Sequence, residues 1–287
     1  MMKTVATVAV LAATAGLASA QIDGVDVGAG RSLLGVQDTF TEFGNAVGGG
    51  QDSAGGSEAN SLWASLSGGT LEIGIAGNVE GNFNKIWIFL DAVAGGENVL
   101  ANDNVDGGFG EINAMAGLTF DAGFEPAIRA EVGSGFFGIR YADLIDNTGG
   151  DIFTGGGPGD LPLAGAAGGF GITSGWDNSN VLGVDGASAA GALTATTGFE
   201  FSIDMLAAFG EIPSQVGISV IISNDNGGFL SNQVLGETGI GGGGNLGGGA
   251  NVNFNNIAGN QFAVIPAPAS MALLGMGGLV AARRRRA

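Results

Sequence analysis

Thr70-Leu-Glu-Ile-Gly-Ile-Ala-Gly77 and Lys85-Ile-Trp-Ile-Phe-Leu90, joined by Asn78-Val-Glu-Gly-Asn-Phe-Asn84, decide the fold of this 287-residue chain. In the first run Leu71, Ile73 and Ile75 recur at every second residue. That period puts them on one face of a β-strand. The second run is apolar at consecutive positions, so both of its faces need cover. A strand in the middle of a sheet has that requirement. The Asn- and Gly-rich link between them reads as a turn. Strand, turn and buried strand in succession point to an all-β domain.

The same reading extends outward. Further strands are expected over 127–132, 136–141, 169–173, 196–203, 215–223 and 261–265. Two short stretches, 58–66 and 205–209, read as helix. Fifty-eight glycines alone would suggest disorder, but 45% of the residues are hydrophobic, enough for a core. Short apolar runs between Gly, Asn and Asp clusters are the pattern of a sandwich. The expected fold is all-β: a mainly antiparallel two-sheet sandwich, jelly-roll-like, with Gly-rich loops. An N-terminal signal helix and a short C-terminal transmembrane helix are expected to flank it.

Charge narrows the chemistry. All 27 carboxylates lie between Asp23 and Glu237, where the only cations are Arg31, Lys85, Arg129 and Arg140. Four cations against 27 acids leave this region at −23, against −18 for the whole chain. Such a field repels nucleic acid and acidic polysaccharide and attracts cations. An acidic, solvated surface that keeps an exported protein in solution accounts for the same composition. The chain has neither cysteine nor histidine, so it lacks thiol chemistry and the commonest general base. Lys85 is the only lysine after Lys3. The chain is expected not to be an enzyme, although a carboxylate pair for glycoside hydrolysis is identified by spatial separation alone.

The two ends read as addresses. Residues 1–20 carry Lys3, an apolar core and the small-residue cleavage site Ala18-Ser-Ala20 before Gln21, as in a secretory signal peptide. At the other end, Pro266-Ala-Pro268 is followed by an uncharged stretch from Ala269 to Ala282 and then by Arg283, Arg284, Arg285 and Arg286. As a helix those fourteen residues would span about 21 Å at ~1.5 Å each, short for a bilayer core of roughly 30 Å. The arginines would lie on the cytoplasmic side. This tail resembles the PEP-CTERM sorting signal, with Ala267 where the family's name expects glutamate, as in its Pro-Ala-Pro variant. The resemblance implies export through the translocon, action by an exosortase-like sorting enzyme, and delivery to the cell envelope, cell surface or extracellular matrix, with transient or retained anchoring. The expected layout is a signal peptide over 1–20, a secreted sandwich over 21–262 and a sorting signal over 263–287.

Candidate sites within the domain are few. Asn102-Asp-Asn-Val-Asp-Gly107 resembles the start of a calcium loop, with oxygen ligands from Asn102, Asn104 and Asp106. Asn102 replaces the leading aspartate, and position twelve is Asn113 rather than glutamate. An Asx-rich turn explains the same residues, and calcium is the only cofactor suggested. Residues 241–249 read as a flexible Gly-rich loop. Gly28-Ala-Gly30 lacks the third glycine of a dinucleotide fingerprint. Of Trp63, Trp87 and Trp176, Trp87 lies in the most apolar strand and is expected in the core. Trp176, between Thr173-Ser-Gly and Asp-Asn-Ser179, is the better candidate for stacking on a sugar.

Several segments, among them Leu71–Asn78, Phe83–Asp91, Leu118–Phe124, Gly198–Ile203 and Leu230–Leu235, resemble a secreted module found with such sorting signals. Their strand–Asp and Gly-x-Glu-apolar patterns are also similar to DOMON-type and related carbohydrate-binding sandwiches. Two functions follow from these similarities: a structural or adhesive matrix protein, or a module that binds a neutral exopolysaccharide, with or without calcium. An exposed aromatic in a groove would distinguish the second from the first.

Overall fold

The computed structural model describes residues 21–43, 56–133, 135–156, 163–180, 183, 189–236 and 244–267. Sixteen strands occur among them. The first half of the chain holds β1 (Ser32–Val36), β2 (Glu58–Ser67), β3 (Thr70–Asn78), β4 (Asn82–Asp91), β5 (Glu97–Val99), β6 (Thr119–Phe124), β7 (Pro126–Gly133) and β8 (Phe136–Asp143). The second half holds β9 (Thr148–Gly156), β10 (Leu163–Ala167), β11 (Ile172–Trp176), β12 (Gly198–Asp204), β13 (Gln215–Ser223), β14 (Phe229–Leu235), β15 (Gly247–Gly248) and β16 (Ala263–Pro266). They form a six-stranded sheet in the order β1-β2-β3-β12-β11-β10 and an eight-stranded sheet in the order β15-β14-β13-β4-β7-β8-β9, with β16 also on β13. A small β5-β6 ribbon stands apart. Every strand pair is antiparallel. The all-β, mainly antiparallel sandwich expected from the sequence is the architecture found.

The run 85–90 sits in β4, in the middle of the larger sheet, and the structure shows why it is apolar throughout. Ile86, Ile88 and Leu90 face the smaller sheet and join Leu71, Ile73 and Ile75 of β3 in one buried core. Trp87 and Phe89 point the other way, into a second core with Ile112, Phe120, Phe124 and Phe254. That second core lies under a cap built from the excursion between β4 and β7, completed by residues near 252–254. The cap covers only part of the outer face of the large sheet. What it leaves uncovered becomes the candidate site.

Two sequence readings need correction. Residues 58–66 form strand β2, not helix. Leu62, Ala64 and Leu66 alternate inward, and the Gly68-Gly69 turn, with φ of 61° and 86°, locks β2 to β3 as a tight hairpin. Tertiary pairing overrides the helix preference of Ala and Leu. The strand expected over 169–173 is shifted to Ile172–Trp176, because Phe170 and Gly171 take positive φ in a turn. Residues 205–209, by contrast, are helical as expected: α1 (Met205–Phe209) is capped by Asp204, whose Oδ1 accepts the Ala207 N–H, and ends at Gly210 with φ 72°.

At the C-terminal side, β16 pairs with β13 from Ala263 to Pro266, and the Ala267 N–H donates to the Ser214 carbonyl. The first residues of the expected sorting segment are thus part of the sandwich. Residues 1–20, with Ala18 and Ala20, and residues 268–287, with Pro268 and the four terminal arginines, lie outside the described residues, as do 241–243 of the Gly-rich loop. Among the described residues no helix is long and apolar enough to cross a membrane.

A candidate ligand-binding basin on the outer face of the large sheet

Strand alternation places Lys85 and Trp87 of β4, Arg129 and Glu131 of β7, and Arg140 of β8 on one face. Lys85 is opposite Glu131 and Trp87 opposite Arg129; Arg129 is in turn opposite Arg140, and Arg140 opposite Asp151. Two arginines side by side repel, so the arrangement requires carboxylates between them. Glu131 provides them with one: it lies 3.1 Å from Lys85 Nζ and 3.7 Å from Arg129 Nη2, and it accepts from Arg140 Nη1. Asp151 holds Arg140 Nε at 2.7 Å. Three of the four cations between Asp23 and Glu237 thus converge here.

The remaining carboxylates come from the edge of the cap. Asp106 Oδ2 lies 3.0 Å from Arg129 Nη1, and Glu111 bonds the same nitrogen. Asp106 also accepts backbone N–H bonds from Gly108, Gly110 and Ile112. Burial alone would raise its pKa, but the Arg129 guanidinium and these three donors outweigh it and hold the carboxyl below its ordinary value. The loop can lie this close because Gly108 has no side chain: a Cβ there would sit 2.1 Å from Arg129 Nη2. Gly107 and Gly110, at φ 69° and 73°, complete the turn, and Phe109 between them is 92% exposed.

Two more phenylalanines are laid over glycines. The Phe83 ring crosses Gly133, where a Cβ would come within 2.2 Å of it, and the Phe136 ring crosses Gly138. Their ring centres are 5.9 Å apart, and Arg140 stacks on Phe136 at 5.8 Å. Phe83, Phe109 and Phe136 border a concavity of about 520 Å³, with Lys85, Glu111, Glu131, Arg140 and Asp225 also lining it. That volume falls in the roughly 300–1,000 Å³ range of small-ligand sites. The Lys85 amine is fully engaged, by Glu131, by the Phe83 carbonyl at 3.1 Å and by the Asp225 carbonyl, so it is no free nucleophile. The basin can stack an apolar face against phenyl rings and exchange hydrogen bonds with charged groups below.

The residues singled out from the sequence lie elsewhere or act differently. Trp176 is not an exposed stacking platform: it is 1% exposed and packs on Phe137 and Phe199. Its polar flanks misled, because Gly175 is covered by the backbone of Ile22 and Asp23 rather than by water. Trp87 is in the core, as expected, with its N–H on Ser223 and Arg129 over its ring. Trp63 is half-buried, bonded to Ser61 and pressed on Gly28. Nor do Asn102, Asn104 and Asp106 converge as calcium ligands. Asn102 is exposed, Asn104 turns to Glu97 and Ala101, and Asp106 turns to Arg129. Asn113, at the twelfth position, instead ties the loop through reciprocal bonds with the Asn104 backbone. Among the described residues no group of three or more Asp or Glu is gathered as for a metal ion.

The rim itself was readable in part. A phenylalanine inside Gly107-Gly-Phe-Gly110 has no neighbours to bury it, and adjacent Phe136 and Phe137 on one strand must face opposite sides. Compared with known proteins, the chain matches no family model, no curated protein and no solved structure.

Proposed function

We propose that this is an exported, non-enzymatic protein of the cell surface or extracellular matrix, whose sandwich binds a non-acidic glycan in the Phe83–Phe109–Phe136 basin. One observation carries the binding part: an aromatic, Phe109, stands 92% exposed at the mouth of a concavity with a charged floor. A purely structural matrix component has no need to display it. Sugar sites combine such a ring with polar groups held in place, and here the ion pairs hold them. The carboxylates of the floor are committed to Lys85, Arg129 and Arg140, which supports binding rather than acid–base chemistry. Export and sorting rest on the terminal segments: the Ala18-Ser-Ala20 site, the Pro266-Ala-Pro268 break and the arginine cluster, read by an exosortase-like enzyme.

Two measurements test this. On a glycan array the full chain should retain a defined set of non-acidic oligosaccharides, and Phe109→Ala should retain the same set more weakly; binding to no glycan refutes the basin's role. In cell fractionation, replacing Arg283, Arg284, Arg285 and Arg286 by glutamate should spoil surface retention. Wild-type retention of that variant refutes the sorting reading.

A further inference from the structure

We infer that the basin selects glycans carrying free amino groups, such as de-N-acetylated hexosamine chains, over uncharged ones; this rests on the glycan-binding reading above. The charge count around the site is uneven. Glu111, Glu131 and Asp225 line the basin with Lys85 and Arg140, and Asp106 and Asp151 pair with Arg129 and Arg140 around it, five acids against three cations. The deep carboxylates are neutralised, and the surplus lies at the mouth. Glu111 spends Oε2 on Arg129 and on the Phe109 N–H, which leaves Oε1 with Lys85 Nζ no nearer than 3.9 Å. The Asp225 side chain is exposed and, among the described residues, accepts only from its neighbour's backbone, the Asn226 N–H. The Asp151 side chain, bound to Arg140 through one oxygen, is 52% exposed.

Phenyl faces at the rim add to the same preference. The face of an aromatic ring attracts a cation, and Phe109 and Phe83 offer faces at 92% and 41% exposure. The −23 field of the surrounding domain draws cations towards the site before contact. An uncharged sugar entering this mouth would strip water from surplus carboxylates without compensating them. A protonated sugar amine pairs with them and lies beneath a phenyl ring. An acidic sugar is repelled outright.

The test is calorimetric titration of the full chain with glucosamine oligomers, with their fully N-acetylated counterparts and with oligolysine, at mildly acidic pH and low salt. The free-amine oligomer should bind roughly tenfold or more tighter than the acetylated one, and added salt should narrow the gap. Phe109→Ala and Asp225→Asn, both at exposed positions that leave the fold intact, should each weaken the free-amine complex about two- to fivefold. Equal or tighter binding of the acetylated oligomer overturns the amine preference while the glycan reading stands. Oligolysine binding as tightly as the free-amine oligomer overturns selection of a sugar. No binding of either oligosaccharide overturns this inference, and the glycan reading falls with it only where the array also shows no bound glycan.

Discussion

Replacing Arg129 by methionine tests whether the basin floor is a single electrostatic unit. Methionine keeps an unbranched stem over Trp87 and removes the charge. Arg129 is 1% exposed and, among the described residues, is the only cation bonded to Asp106, itself 2% exposed. Removing one partner of a buried pair costs about 3–5 kcal/mol, because the other is left charged in a poor solvent. Two Arg129 nitrogens, Nε and Nη2, make no hydrogen bond, and losing them relieves part of that cost. The lower end, about 3 kcal/mol, is therefore expected. At roughly 2–4 °C per kcal/mol for a domain of this size, Tm should fall by about 6–12 °C in a calorimetric scan. Asp106→Asn in the Arg129→Met background should then cost much less than it does in the wild type, because the pair is already broken. A Tm within about 2 °C of wild type, or strictly additive losses, refutes the argument. The acid side gives a second reading. Asp106 has a depressed pKa, so its contribution is present above the ordinary carboxyl value of 3.8 and is lost as pH falls through the folded value. In Arg129→Met that acid-side loss should shrink.

Two further outcomes follow from the same geometry. Asp91 and Glu125, at the far end of β4, have pKa values raised by burial, and for Glu125 the Asp91 charge adds to it against N–H bonds from Ala92 and Val93. A raised carboxyl pKa means stability lost as pH rises above the ordinary 3.8 and 4.5, opposite in sign to Asp106, so Asp91→Asn should flatten that decline in denaturant titrations across pH. Gly133→Ala would place a Cβ 2.2 Å from the Phe83 ring; the half-exposed ring should swing out, changing stability by under about 1 kcal/mol while weakening glycan binding, and unchanged binding would remove Phe83 from the rim.

The parts of the fold legible in the sequence are those whose cause is local. Alternation in 70–77 and the two-faced apolar run 85–90 each name a strand and its burial, because period two needs no distant partner to be seen. The 215–223 strand was legible for the same reason. Residues 58–66 were misread because leucines four apart, at Leu62 and Leu66, satisfy a helical face as well as an alternating one. The Gly68-Gly69 hairpin that decides between them lies just outside the stretch. The basin was not legible as a unit, since Lys85, Glu131 and Arg140 meet only through the β4-β7-β8 register. The cap was invisible for a related reason: β6 looks like another sheet strand until it is seen lying across Phe89.

The boundary between domain and tail is the sharpest consequence of the structure for the sorting reading. The sequence places the start of the address at 263, yet Ala263 and Ile265 are buried and β16 pairs with Gln215–Ile218 of β13. Pro266 fits there because it ends an edge strand, where a missing N–H is tolerated. Two truncations therefore separate the folded part from the address. Deleting 269–287 leaves β16 and the Ala267–Ser214 bond in place, so thermal stability should be unchanged while the protein is released from the cell. Deleting 263–287 removes the β16 ladder and exposes the surface that Ile265 covers. Burial of that side chain alone contributes about 1.5–3 kcal/mol, so Tm should drop by roughly 3–12 °C. If both truncations melt alike at the wild-type temperature, β16 contributes nothing to the sandwich. If the shorter deletion destabilises as much as the longer one, residues beyond Pro268 belong to the fold, and a tail that holds the domain together cannot also be an address removed after export.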